Sequence, residues 1–377
     1  MPARFYTISD LPSLFRFKVT LNFTISKLTE TKIKIMRGIQ VLIFFVLLSI
    51  NLLAQEKQGT SNDSPGKVWG YAFGDYFVKI GGKISEGFSG EYSNYRKDFN
   101  AFDFRRIYLG YDHGISKSFD ARFALSYEGK EVSANKNITV FIKDAWLKWK
   151  NVFDKTNLSI GIMPTPGFSY ISEKFWEYRS IEKTLLDFRQ LESSRDMGIM
   201  LDGTFGKKDQ SGYYIMIGNG SGTKLETNND SKNLYGEIYT NLSNNNLLLD
   251  LFIGIDENLP LIKTFFGYKF SNTKIGLEFA KSDFTDPWDD NAFGTSVFLI
   301  SKTGKKEKLF FRYDYFQPRK NSLGPKEHFV VAGFDYNPHE KVHIMPNIWM
   351  NFYQKTNRSI AKKTDIVPRL TFFYEYR

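Results

Sequence analysis

Four histidines, His113, His328, His339 and His343, are the only imidazoles in this chain, and it has no cysteine. A Ser-His-Asp hydrolase would need one of them beside an activated serine, yet residues 55–377 contain no G-x-S-x-G elbow. His339 and His343 lie four apart, but Pro338 precedes them and denies the helix on which such a pair would bind zinc. Without cysteine there is no zinc-thiolate or thiol chemistry. "NGSG" (Asn219–Gly222) lacks the Lys-Ser/Thr ending of a phosphate loop and reads as an exposed turn. "DFTDPWDDN" (Asp283–Asn291) offers four acids to a calcium ion, without the spacing or the glycine of an EF-hand. No catalytic group, cofactor or resident metal is expected from these residues.

The charges that carry information sit on one face of alternating segments. In "LFFRYDYF", Leu309, Phe311, Tyr313 and Tyr315 share a face and leave Arg312 and Asp314 on the other. The same parity sets Arg106, Arg122, Lys148 and Arg369 opposite apolar neighbours. A charge facing lipid at mid-bilayer costs ~2–4 kcal/mol, so these faces are expected to line a watery interior. Rings of Lys and Arg there would favour anions. Pairing with Asp120, Asp144, Asp314 or Glu375 would instead leave the interior neutral.

Such faces need strands. "FDARFALSYE" (Phe119–Glu128) sorts Phe119, Ala121, Phe123, Leu125 and Tyr127 from Asp120, Arg122, Ser126 and Glu128, which no helix would do. About sixteen or seventeen segments of this kind follow one another to the C-terminus, the first placed at Phe77–Tyr92. Connections alternate between short ones, such as Ser271–Lys274, and long polar ones, such as Asn219–Asn233. Composition agrees: 36 Phe, 21 Tyr and 29 Gly accompany a mean hydropathy of −0.35. The expected fold is all-β, an antiparallel transmembrane β-barrel of about 16 strands over residues 77–377, since only helices and closed sheets satisfy their backbones in lipid. Trp146, Trp149, Tyr313, Tyr315, Trp349, Tyr353, Phe372, Tyr374 and Tyr376 are expected as interfacial girdles, with strand packing as the alternative.

At the N-terminus, "IQVLIFFVLLSINLLA" (Ile39–Ala54) follows Met36-Arg37 and precedes a polar stretch. It is too short to span a bilayer as a helix and reads as a secretory leader, residues 36–54. Residues 1–35 read as an upstream extension of the frame, and 55–76 as a polar linker. The first 54 residues hold seven Lys/Arg and two Asp/Glu, leaving 44 basic and 39 acidic residues, a net of +5. Scattered in this way, the charge excludes a nucleic-acid face.

One stretch breaks the pattern. "KFWEYRSIEKTLLDFRQLESSRDMG" (Lys174–Gly198) reads as a single amphipathic helix, with Tyr178, Ile181, Leu185 and Phe188 along one stripe and Lys183 able to pair with Asp187. "MPTPG" ahead of it ends the preceding strand. So long a connection with an apolar stripe must bury it, and the lumen of a wide barrel is the shelter available. A long, partly helical loop folded into the lumen is therefore expected.

In order, "FRRIYLGYD", "DAWLKW", "SIGIMPTPG", "FWEYRSIEKTLLD" and "SSRDMGIMLDG" resemble the core of the phosphate-selective porin O and P family of outer-membrane proteins. That resemblance implies a 16-stranded barrel, commonly a homotrimer, passing small hydrophilic or anionic solutes, with a third loop at its constriction. By it, Lys174, Arg179, Lys183 and Arg189 belong to the constriction loop and Arg195 to its return into the next strand. The chain departs from the family in offering no evident ladder of stacked arginines and lysines, and it ends in Arg377, although Phe372, Tyr374 and Tyr376 keep the aromatic strand that barrel assembly machinery reads. The expected setting is the lipid of a Gram-negative outer membrane. The alternatives are a blocked barrel acting as receptor or adhesin, and a barrel hydrolase using His113 or His328.

Overall fold

The computed structural model describes residues 66–82, 92–129, 138–225, 231–256, 259–283, 291–320, 322, 324–356, 359 and 362–376. The leader, the upstream extension, most of the Asp-rich loop and Arg377 lie outside the described residues.

Sixteen strands follow in chain order: β1 (Lys67–Val78), β2 (Asn100–Gly114), β3 (Phe119–Tyr127), β4 (Phe141–Phe153), β5 (Thr156–Pro164), β6 (Arg195–Phe205), β7 (Ser211–Gly218) and β8 (Asn233–Leu242). They continue as β9 (Leu247–Asp256), β10 (Leu259–Phe270), β11 (Thr273–Ser282), β12 (Phe293–Lys302), β13 (Glu307–Gln317), β14 (Lys326–His339), β15 (Val342–Gln354) and β16 (Asp365–Tyr376). Each pairs antiparallel with the strand before it, and β16 returns to β1 in a register running from Gly70 opposite Tyr376 to Phe77 opposite Arg369. Closure leaves no strand edge with unpaired backbone groups.

The alternation read from the sequence sets the two walls. Leu109, Ile160, Ile215, Leu251, Phe311 and Leu370 are exposed on the outside, while Asp75, Lys263, Glu278, Arg312, Asp314 and Arg369 are buried inside. Leaving one large apolar side chain in water forfeits ~1.5–3 kcal/mol, so a wall of them is stable only in lipid.

Seven short turns, among them 154–155, 271–272 and 340–341, lie at the end that also carries the start of β1 and the end of β16. The opposite end carries the longer connections, 257–258 excepted, of which 165–194 is the longest. Short turns at the periplasmic end and long loops outside are the usual barrel arrangement.

Three sequence expectations need correction. First, the barrel starts at Lys67, inside the stretch read as linker and ahead of Phe77–Tyr92. On β1 the aromatic residues Tyr71, Phe73 and Phe77 point inward and the middle outward positions are Gly70, Ala72 and Gly74, so the outer face shows large apolar side chains, Val68 and Tyr76, only toward its ends. Rings from β16 cover that face instead: a Cβ on Gly70 would lie 2.2 Å from the Tyr376 ring.

Second, Trp146, Trp349 and Tyr353 are not girdle residues. Arg122 and Lys148 lie over the Trp146 ring, Trp349 is buried and donates its indole N–H to Glu182 (2.8 Å), and Tyr353 donates to Asp365 (2.7 Å). Their places on the strands give them inward parity, which the bare count of aromatic residues near strand ends had hidden. The third correction concerns the inserted segment.

Candidate functional site

The segment 165–194 is pinned at its base. Thr165 donates its hydroxyl to the Ser193 carbonyl and its N–H to that of Ser194 (3.4 Å), and Gly167 takes a positive φ of 90° beside the Glu192 carboxylate, where a Cβ would sit 2.2 Å from it. The chain then forms two short helices, α1 (Ser172–Trp176) and α2 (Leu185–Phe188). The single helix expected over 174–198 is therefore broken, and Arg195–Gly198 belongs to β6.

The break has a physical cause. Glu177 ends α1 in the left-handed region (φ 63°), and after one turn closed on the Tyr178 carbonyl the carbonyls of Ser180 to Lys183 go to side-chain donors instead of continuing a helix. Arg105 donates to the carbonyls of Ser180 and Ile181 (3.1 Å for the latter), and Arg369 also donates to Ile181 (3.1 Å). The Trp176 indole donates to the Glu182 carbonyl (2.8 Å) and Arg312 to that of Lys183 (2.5 Å). Three wall arginines thus hold the segment by its backbone.

The expected apolar stripe is nevertheless covered, by the inner faces of β10 to β15. Tyr178 packs on Phe310 and donates to Asp335 (2.8 Å), and Phe188 packs on Phe329. The wall is hollowed to receive the segment. Gly267 of β10 and Gly276 of β11 are cross-strand partners, and a Cβ on Gly267 would lie 2.7 Å from the Phe175 ring; one on Gly294 of β12 would lie 3.1 Å from Leu185. Gly267→Val should push Phe175 out of its hollow, costing ~1–3 kcal/mol. A lowered heat-unfolding midpoint, with the folded band still present on a semi-native gel, is the expected reading.

Each expected lumen cation points inward, and each has an acid nearby. Arg106 sits 3.9 Å from Glu128, Arg122 2.6 Å from Asp112, Lys148 3.0 Å from Asp202, Arg312 2.6 Å from Asp314 and Arg369 3.9 Å from Asp75. In the segment, Arg179 pairs with Glu173 and with Asp187 (2.8 Å), and Lys183 pairs with Asp187 (3.5 Å). Burial opposes ionisation of Asp187, but Arg179 and Lys183 hold its carboxyl below the usual range. Arg189 meets Glu327 (2.5 Å), and Arg195, already in β6, meets Asp144 (2.5 Å). The wall is therefore close to the neutral arrangement that the sequence left open.

Lys174 differs. Among the described residues it has no carboxylate within ion-pair distance, and its ammonium lies 5.5 Å from the Tyr170 ring centroid. Partial burial, with Lys148 and Arg122 nearby, draws its ammonium below the ordinary lysine value.

The two sides of the lumen are unequal. Asp75, Arg312, Asp314, Asp335 and Arg369 are sealed beneath the segment, whereas Arg122, Lys148, Asp202, Tyr214 and Tyr239, on β3 to β8, stay partly exposed. Open space remains on that second side, where a cavity of about 420 Å³ is lined by Arg122, Asp112, Asp144 and Arg195. A further cavity of about 310 Å³ lies between Lys174 and Arg179 of the segment and Lys308 and His343 of β13 and β15.

The fold has counterparts among solved structures. It matches the outer membrane channel DcaP of Acinetobacter baumannii with a TM-score of 0.60 at 11% identity, covering 84% of this chain and 99% of the other. The anion-selective porin from Comamonas acidovorans matches with a TM-score of 0.55 at 9% identity, over 84% and 100%. OmpF of Salmonella typhi matches with a TM-score of 0.57 at 11% identity, over 82% and 97%. This chain has the porin fold. No family model matches it, and no curated protein does.

Within that porin fold, alternation failed to reveal Arg105. A β-bulge sets Phe73 opposite Arg106 and Gly74 opposite Phe104, so Arg105 is the extra residue and both arginines turn inward. The doubled arginine in an otherwise alternating strand was the available signal. As for the histidines, His328 bonds the Tyr313 hydroxyl (2.8 Å) on the outer wall, His343 bonds Asp335 (2.9 Å), and His113 stacks on Tyr111.

Proposed function

We propose that this protein is an outer-membrane porin: a passive diffusion channel for small hydrophilic solutes, narrowed by the segment 165–194 and mildly selective for anions. The carrying observation is the division of the lumen, with one side filled by the clamped segment and the other lined by partly exposed charged and tyrosine side chains. On that open side Lys174 is a cation without an ion-pair partner among the described residues, facing Arg122 and Lys148, whose own charges are balanced. A single uncompensated charge at a narrow, partly desolvated point biases the local ion population more than many paired ones. The Comamonas counterpart is an anion-selective porin, and the ordered motifs resembling phosphate-selective porins point the same way. Export through the leader, insertion by the barrel assembly machinery and assembly as a homotrimer belong to the same reading.

Reversal potential in planar bilayers under a potassium chloride gradient tests it. The wild type should favour chloride. Lys174→Glu should shift the permeability ratio toward potassium by about fivefold, equivalent to ~1 kcal/mol after screening. A wild-type current carried mainly by cations would overturn the anion preference.

A further inference from the structure

The open side of the lumen carries an aromatic surface that ion passage alone does not require. Tyr170 of the inserted segment stacks on Tyr214 of β7, with ring centroids 4.3 Å apart and planes 8° apart, and Tyr214 stacks on Tyr239 of β8 at 6.0 Å and 25°. All three rings are partly exposed, unlike Phe265, Phe298 and Trp349 on the opposite side, which are buried. Tyr239 lies over bare backbone, because Gly212 of β7 has no side chain and a Cβ there would fall 2.5 Å from the Tyr239 hydroxyl. The row descends from the segment toward the short-turn end of β8. Its rim is polar: Lys148 and Asp202 form a pair at 3.0 Å, Asn157 donates to Asp202 (2.8 Å), and Lys174 sits over Tyr170.

We propose that Tyr170, Tyr214 and Tyr239 form a binding track for pyranose sugars bearing an anionic substituent. A pyranose presents C–H groups on its faces and hydroxyls around its equator. Tyr170 and Tyr214 cover one face of each other, so a sugar face meets the π surface that remains, that of Tyr239 first, and the equatorial hydroxyls need donors and acceptors at the ring edge, which Lys148, Asp202 and Asn157 supply. Lys174 has no carboxylate partner among the described residues and takes the anionic group. Planar anions would use the rings and the cation but not the acceptor Asp202, and small anions would use the cation alone.

This inference rests on the channel reading above, and its test separates the two. Conductance of reconstituted protein is titrated with potassium glucuronate, glucose, potassium acetate and potassium benzoate at constant ionic strength. Glucuronate should reduce the current saturably, glucose more weakly, and acetate and benzoate not saturably. Tyr214→Leu should raise the half-blocking glucuronate concentration by about tenfold while leaving the unblocked conductance near the wild-type value, and Tyr214→Phe should stay near wild type. Tyr239→Leu is the second variant if Tyr214→Leu does not fold, and Lys174→Gln should bring glucuronate down to the level of glucose. Equal block by acetate or benzoate, or wild-type block in both leucine variants, overturns the sugar track while the channel stands. Absence of any open-channel current from folded protein overturns the channel reading itself.

Discussion

Arg312→Met is expected to be among the most destabilising single substitutions in the barrel. The guanidinium is almost fully buried and grips Asp314 through two bonds, Nε to Oδ1 (2.8 Å) and Nη2 to Oδ2 (2.6 Å), while its remaining arm reaches the Lys183 carbonyl (2.5 Å). Removing it leaves the Asp314 carboxylate buried without a counter-charge and the Lys183 carbonyl without its donor. Breaking one half of a buried pair costs ~3–5 kcal/mol, more than the pair contributes when intact, because the surviving charge is stranded. The double substitution Arg312→Met with Asp314→Leu should therefore be milder than the single one. Arg312→Lys should fall between them, since one ammonium cannot reproduce the fork that serves both partners. The midpoint at which the heat-modifiable band converts to the unfolded one measures all three. Equal midpoints for the single and double variants would contradict the stranded-charge explanation.

Deleting residues 174–190 should raise single-channel conductance roughly two- to threefold, because the lumen of a 16-stranded barrel is wide enough for an aqueous channel once nothing fills it. The barrel should still fold. Its strand ladder closes without the segment, and the base of the loop, where Thr165 bonds Ser194, remains. Stability should fall nonetheless, since Trp176, Ile181 and Leu185 give up burial worth ~1.5–3 kcal/mol each. Arg105, Arg312 and Arg369 would lose their backbone acceptors, but they would then face water and keep Asp75, Asp314 and Asn347. Unchanged conductance in a folded deletion variant would mean that the segment is not the constriction.

The barrel was legible because a sheet with lipid on one side and water on the other must alternate, and Arg312, Arg106, Arg122, Lys148 and Arg369 were placed inward by parity alone. Legibility failed where tertiary partners outweighed local pattern. The stripe from Tyr178 to Phe188 has helical spacing, but four carbonyls in its middle find better donors in Trp176 and the wall arginines than in the helix itself. β1 was placed late because its middle outward positions are Gly70, Ala72 and Gly74, covered by rings from a strand far away in sequence. Arg105 was hidden by a bulge, and the row Tyr170, Tyr214, Tyr239 by the distances between its members along the chain. Acid partners across strands, such as Asp112 for Arg122 and Asp202 for Lys148, require register, which alternation does not supply.

Single-channel recording of the intact protein, purified as a heat-modifiable barrel and inserted in a planar bilayer, tests the central claim most directly. A porin partly narrowed by its clamped segment should give discrete, long-lived, nearly ohmic steps, smaller than those of the 174–190 deletion. A folded wild type that gives no steps, beside a deletion variant that conducts, would mean that the segment plugs the barrel and that the protein is not a diffusion channel.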